Sequence, residues 1–163
     1  MNDDPDREAE LRRAALNWLA RRDYSRHELA GRLHRRFGDQ APVEPLLDWL
    51  EEQNFLNEER FAETFVRSRI DRGQGALRIR HELQQRGLPE SLIDQTLAEA
   101  ECDWFELARQ VHQRRFDCGP GRDQKEKARQ LRFLQQRGFS AEQCWKALEA
   151  APNPPEPDAP EPG

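Results

Sequence analysis

The chain has 163 residues, of which 35% are charged and 36% hydrophobic, with a formal net charge of −5. A mean hydropathy of −1.06 and the lack of any apolar run near the roughly 18 residues of a membrane span exclude a membrane protein. The acidic start, MNDDPDREAE, has no basic-then-apolar leader pattern, so a cytoplasmic location is expected. Cys102, Cys118 and Cys144 form no Cys-x-x-Cys pair and are odd in number, and His27 and His34 stand seven apart, so neither a disulfide framework nor a metal site is expected.

Residues 1–7 are acidic and expected to be disordered. A first repeat, 8–53, follows. Its first helix, from Glu8 to Arg22, puts Leu11, Ala15, Trp18 and Leu19 on one face before Asp23-Tyr24 interrupts it. Ser25-x-x-Glu28 reads as a capping box with Tyr24 and Leu29 as its staple, and the helix it opens closes at Gly38. Pro42 and Pro45 fit only the first turn of a third helix, whose apolar side is Leu46, Leu47, Trp49 and Leu50.

A second repeat spans 54–101. Asn57 is an N-cap, with Leu56 and Phe61 as staple. Phe61, Ala62, Phe65, Val66 and Ile70 fall on one half of the helix it opens, and Arg67 lies on the other half with Arg60 and Asp71. Gly73-Gln74-Gly75 turns the chain through a tight corner. The next helix buries Ala76, Ile79 and Leu83 and turns Arg78 and His81 outward, ending at Gly87. From Arg67 to Gly87 there are six arginines against Asp71 and Glu82, a basic patch inside an acidic chain.

A third repeat covers 102–151. Asp103-x-x-Glu106 reads as a capping box; its helix runs to about Phe116, Cys118-Gly119-Pro120-Gly121 breaks it, and Ser140-x-x-Gln143 caps the last helix. Leu83-Gln84-Gln85-Arg86-Gly87 returns 51 residues later as Leu134-Gln135-Gln136-Arg137-Gly138, the sign of an internal repeat. The tail 152–163 holds six of the eleven prolines and is expected to be disordered. The termini carry −4 and −3, which leaves the middle mildly basic at +2. With no alternating β-branched runs, the fold expected is all-α: an elongated, curved array of three tandem three-helix, helix-turn-helix-like repeats with shared cores. Trp18, Trp49, Trp104 and Trp145 are expected in the core.

Phe55-Leu56-Asn57-Glu58-Glu59-Arg60-Phe61-Ala62, then Phe65-Val66-Arg67-Ser68-Arg69, then Arg72-Gly73-x-Gly75 and Ile79-Arg80-x-Glu82-Leu83-x-x-Arg86-Gly87-Leu88 resemble the centre of RecX proteins. The likeness extends through Ala15 to Leu29 and, more thinly, to about Ala151. Asn57 stands where that family commonly has an acid, a change that keeps the cap. The resemblance implies a monomeric regulator that binds the recombinase RecA and RecA–single-stranded DNA filaments. It implies inhibition of ATP hydrolysis, strand exchange and co-protease activity in DNA repair, recombination and the SOS response.

Arg67, Arg72, Arg78 and His81 are the expected contact residues for filament or DNA. Arg69, on the apolar arc, reads as structural, tied to an acid such as Glu59 or Asp48. No nucleophile elbow or phosphate-cradling loop precedes a helix, so no enzyme and no cofactor is expected. The alternative is a helical-repeat protein that binds nucleic acid directly through the same arginines, against which the overall charge of −5 counts. A compact chain of this length would have a radius of gyration of about 15 Å. Small-angle scattering should give a clearly larger value, and one at the compact figure would refute an extended array.

Overall fold

In the computed structural model, which describes residues 5–116, 121 and 123–151, the described residues form nine helices and no strand. They are α1 (Pro5–Arg21), α2 (Arg26–Phe37), α3 (Val43–Glu52), α4 (Glu58–Asp71), α5 (Ala76–Gln85), α6 (Glu90–Glu99), α7 (Trp104–Arg115), α8 (Gln124–Gln136) and α9 (Ala141–Ala150). Residues 1–4, the break at 118–120 and the tail 152–163 lie outside the described residues.

α1 starts at Pro5, three residues earlier than expected. Proline at the first helical position has its φ already set and lacks only an amide that would be unpaired there. Asp6, read as part of a disordered acidic terminus, instead joins Glu8 in the first turn, where the helix dipole favours negative charge.

Caps fix the other helix starts. Asn57 Oδ1 accepts from the Arg60 amide at 2.9 Å, as its position predicts. Ser140 and Gln143 form a complete capping box. The boxes expected at Ser25 and Asp103 are only half made: each side chain accepts from the amide three residues on, at 3.1 Å, but the glutamates turn elsewhere. Glu28 pairs with Arg22 at 3.1 Å and Arg86 at 3.2 Å, and Glu106 with Arg109 at 2.6 Å. A charge-assisted bond to arginine outcompetes the reach back to a neutral amide.

The chain divides into two compact units, residues 1–68 with 80–100 and residues 69–79 with 101–163. The first has a core of Leu11, Tyr24, Leu29, Leu33, Leu47 and Leu50, against which Trp18 and Trp49 are half-buried. The second is built on Ala108, Val111, Leu134, Phe139, Cys144 and Leu148. The tryptophan expectation needs correction: none of the four is fully buried, and Trp145 is 50% exposed. Cys144 and Ala147 take the buried positions of α9, and the indole falls outside that arc.

In each unit the end of one middle helix meets the start of another. In the first, Ser25 Oγ, at the start of α2, donates to the Arg86 carbonyl just past α5 at 2.9 Å, and the Arg26 amide donates to Glu58 Oε2 at 3.2 Å. In the second, the Gly75 and Leu77 amides at the start of α5 donate to the Arg137 and Gly138 carbonyls just past α8, at 2.8 and 3.0 Å. Glycine is required there. Gly138 has φ +101°, and a Cβ on Gly75 would lie 2.4 Å from the Gly138 carbonyl.

Gly75→Ala should therefore cost at least about 2 kcal/mol in urea unfolding, since the obstructing atoms are backbone. Gly31→Ala, inside α2 with its nearest neighbour at 3.9 Å, should instead stabilise by about 0.5–1 kcal/mol. Equal effects at the two positions would refute the close-approach reading.

Candidate functional site

The expected apolar arc of α4 does pack. Phe61, Ala62 and Val66 are buried, and Phe65 and Ile70 half-buried, while Arg67 is exposed on the opposite side. On α5, Ile79 and Leu83 are fully buried and Arg78 and His81 exposed. Among the described residues neither the Arg67 nor the His81 side chain makes an ion pair or hydrogen bond. These two belong to the first unit.

Arg72 and Arg78 belong to the second unit, on either side of the glycine corner. The Arg72 side chain is exposed while its carbonyl accepts from Arg137 Nη1 at 3.4 Å. Arg78 places its backbone and Cβ against Gly138, where an added methyl would come within 2.4 Å of that Cβ, so its position on α5 is fixed and its outer end faces solvent. The corner buries Gln74 to 6% exposure, and its amide oxygen finds no hydrogen-bond donor among the described residues.

The other arginines of the basic patch serve structure. Arg80 bridges Glu90 at 3.1 Å and Asp94 at 2.6 Å, acids one turn apart on α6. Arg86 pairs with Glu28 and stacks over Phe65 at 4.6 Å. Arg69 is half-buried, in line with a structural role. Asp48, one of the acids considered for it, is held instead by Arg26.

Arg26 is a hub that sequence reading missed. It reaches Glu44 at 2.7 Å, Asp48 at 2.9 Å and Glu51 at 3.0 Å. These acids recur at i, i+4 and i+7, one face of α3, and that spacing was the available signal. Burial pulls the guanidinium pKa down, but the three carboxylate bonds outweigh it and raise it above the ordinary value. Elsewhere the Arg109 bond holds the half-buried Glu106 carboxyl at about 2. Burial pushes the Cys144 thiol up to about 11, and Cys102 is also a free thiol. Among the described residues no group of three or more His, Cys, Asp or Glu is placed to hold a metal ion, and no helix is long and apolar enough to cross a membrane.

The family models for the second and third three-helix domains of RecX match residues 57–97 and 101–148. The regulatory protein RecX of Halorhodospira halophila is 51% identical over 141 residues, covering 86% of this chain and 88% of that protein. The chain belongs to the RecX family. The regulatory protein RecX of Pseudomonas entomophila is 44% identical over 138 residues, covering 85% of this chain and 89% of its own. A crystal structure of RecX from Lactobacillus salivarius matches with a TM-score of 0.74 over 89% of this chain and 96% of that one; at 18% identity it speaks for the fold alone. A further crystal structure of regulatory protein RecX matches at 26% identity and a TM-score of 0.71, over 85% and 70% of the two chains. The match to the second RecX domain begins on Asn57, the residue that caps α4.

Glu58, behind the Arg26 hub, gives a pH test. Burial raises its carboxyl above the usual 4.5, against a lowering bond from the Arg26 amide. An acid raised in the folded state stabilises below its unfolded pKa and loses that contribution as pH rises through the folded value. Glu58→Gln should thus be more stable than the parent at pH 7 in urea unfolding, and the difference should shrink below about pH 4.5. A difference independent of pH would contradict the buried-carboxyl assignment.

Proposed function

We propose that this chain is a regulator of the bacterial recombinase RecA. It binds RecA and RecA–single-stranded DNA filaments in the cytoplasm as a monomer, and inhibits ATP hydrolysis, strand exchange and co-protease activity in recombination, repair and the SOS response. The observation that carries this is the 51% identity to a regulatory protein RecX across 86% of the chain. The mechanism is binding, not catalysis: a protein lodged against the filament obstructs duplex DNA and subunit motion. Three repeats, 8–53, 54–101 and 102–151, let several weak contacts act together, which raises avidity without any single strong site.

The contact residues in this reading are Arg67, Arg72, Arg78 and His81. Their exposure supports it, as does the commitment of Arg80 and Arg86 to ion pairs, which removes those two from the choice. Arg69 keeps its structural role.

Arg67→Glu with Arg78→Glu should leave helix content unchanged and stability within about 1 kcal/mol, because neither side chain is buried. It should weaken suppression of RecA's DNA-dependent ATPase several-fold, with wild-type suppression itself falling as salt rises. Phe61→Ala, at a position only 6% exposed, should cost about 3–5 kcal/mol and lose function through unfolding. If the double variant suppresses the ATPase at wild-type concentrations, these arginines are not the contact surface.

A further inference from the structure

Between Leu11 and Phe37 the sequence has eight arginines against only Asp23 and Glu28, a local excess of +6 in a chain whose total is −5. The first two helices arrange part of that charge as a ladder. Arg22 stacks over the Tyr24 ring at 3.6 Å, and Arg32 lies 5.8 Å from the same ring and 4.2 Å from Trp18. Arg36 follows at 5.8 Å from Trp18 and 5.2 Å from Phe37. Cation and ring alternate along the α1–α2 seam of the first unit. Arg32 is held further by a hydrogen bond to the Tyr24 hydroxyl.

Ring contact of this kind restricts a guanidinium while the residue stays exposed, as Arg32 and Arg36 do. A guanidinium is a planar fork of N–H donors that grips phosphate oxygens in pairs, and one already held against a ring has less side-chain freedom to lose on binding. Arg32 and Arg36 are four residues apart on α2, about 6 Å along the axis, a step comparable with that between successive phosphates of an extended strand. Arg32, Arg35 and Arg36 are all exposed, and among the described residues Arg35 and Arg36 have no acidic partner. Among the described residues the only ion pair within the ladder is Arg22 with Glu28.

We propose that the α1–α2 seam, through Arg32, Arg35 and Arg36, is a track for the phosphate backbone of single-stranded nucleic acid. Arg32 and Arg36, held against rings, with the exposed Arg35 beside them, make a short row that fits one backbone, whereas a duplex presents two. An acidic protein face rarely matches so high a linear charge density. The rings of Tyr24 and Trp18, buried and half-buried, serve as the bed for the arginines, so base identity is not read. The surface is separate in sequence from Arg67, Arg72, Arg78 and His81 and needs no RecA to act.

The test is fluorescence anisotropy of a labelled oligothymidylate with the full chain and no RecA, at about 50 mM salt. Wild type should bind, with affinity falling steeply as salt rises. Arg35→Glu with Arg36→Glu should weaken binding at least about tenfold, and neutralising both to Gln should flatten the log–log salt slope by about 1.4, the release expected for two phosphate contacts. Arg67→Glu with Arg78→Glu should stay within about twofold of wild type. Arg32 is left intact because its reversal would strip the Tyr24 bond, and circular dichroism checks that the variants keep their helix. The proposal is overturned if wild type fails to bind or if the Arg35/Arg36 variants bind like wild type. It is overturned also if labelled polyglutamate or a duplex of equal length binds more tightly than the strand. If only the Arg67/Arg78 variant loses the strand, the track lies elsewhere and the seam is not the site.

Discussion

The interaction on which the rest depends is the meeting of helix ends. A helix leaves its first amides and last carbonyls unpaired within itself, and here two of the middle helices satisfy each deficit with another's surplus. The start of α2, through Ser25, takes the carbonyl past α5, and the start of α5, through Gly75 and Leu77, takes the carbonyls past α8. Partial positive charge meets partial negative charge at both places. Such a contact requires backbones to approach with nothing between them, which is why glycine stands there. At Gly138 a side chain would collide with Arg78, and at Gly87 with His27. The same device places Arg78 and His27 on known turns of their helices.

Arginine in this chain does three jobs, and only geometry separates them. Arg26 and Arg80 gather acids from a neighbouring helix. Arg86 and Arg137 flank the helix junctions and stack on Phe65 and Phe133. Arg67 and Arg35 face outward without an acidic partner among the described residues. The second unit repeats the stacking habit, with Arg129 over Phe116 and Arg115 near both Phe116 and Phe133, but there Glu126 holds Arg129 at 2.7 Å. Stacking alone therefore marks structure. The first-unit ladder differs in having so few acids around it.

Local features were the most legible. Asn57 and Ser140 cap as their positions required, and the apolar arcs of α4 and α5 are the buried ones, because a helix wheel needs only the chain's own periodicity. Much of what escaped depends on a partner far away in sequence. Glu28 could have completed a capping box until Arg86, 58 residues on, offered it a better bond. Trp145 is a different case: its exposure follows from the local arc that Cys144, Ala147 and Leu148 fill, which hydrophobicity alone does not rank above an indole. The acids of α3 lined up visibly, but Arg26 as their common partner emerges only when α2 and α3 pack. Among the expected contact residues, exposure was readable at each position, whereas the removal of Arg80 and Arg86 from the patch was not.

Charge shows the same division between the local and the summed. A total of −5 argues against polyanion binding only if a ligand feels the whole chain at once. At physiological ionic strength the screening length is about 8 Å, shorter than the 12-residue α2, which is about 18 Å long. A strand lying along α2 is therefore governed by Arg32, Arg35 and Arg36, and the acids beyond that distance contribute little. Net charge then describes solubility, while the unpaired arginines on one seam decide what the surface attracts.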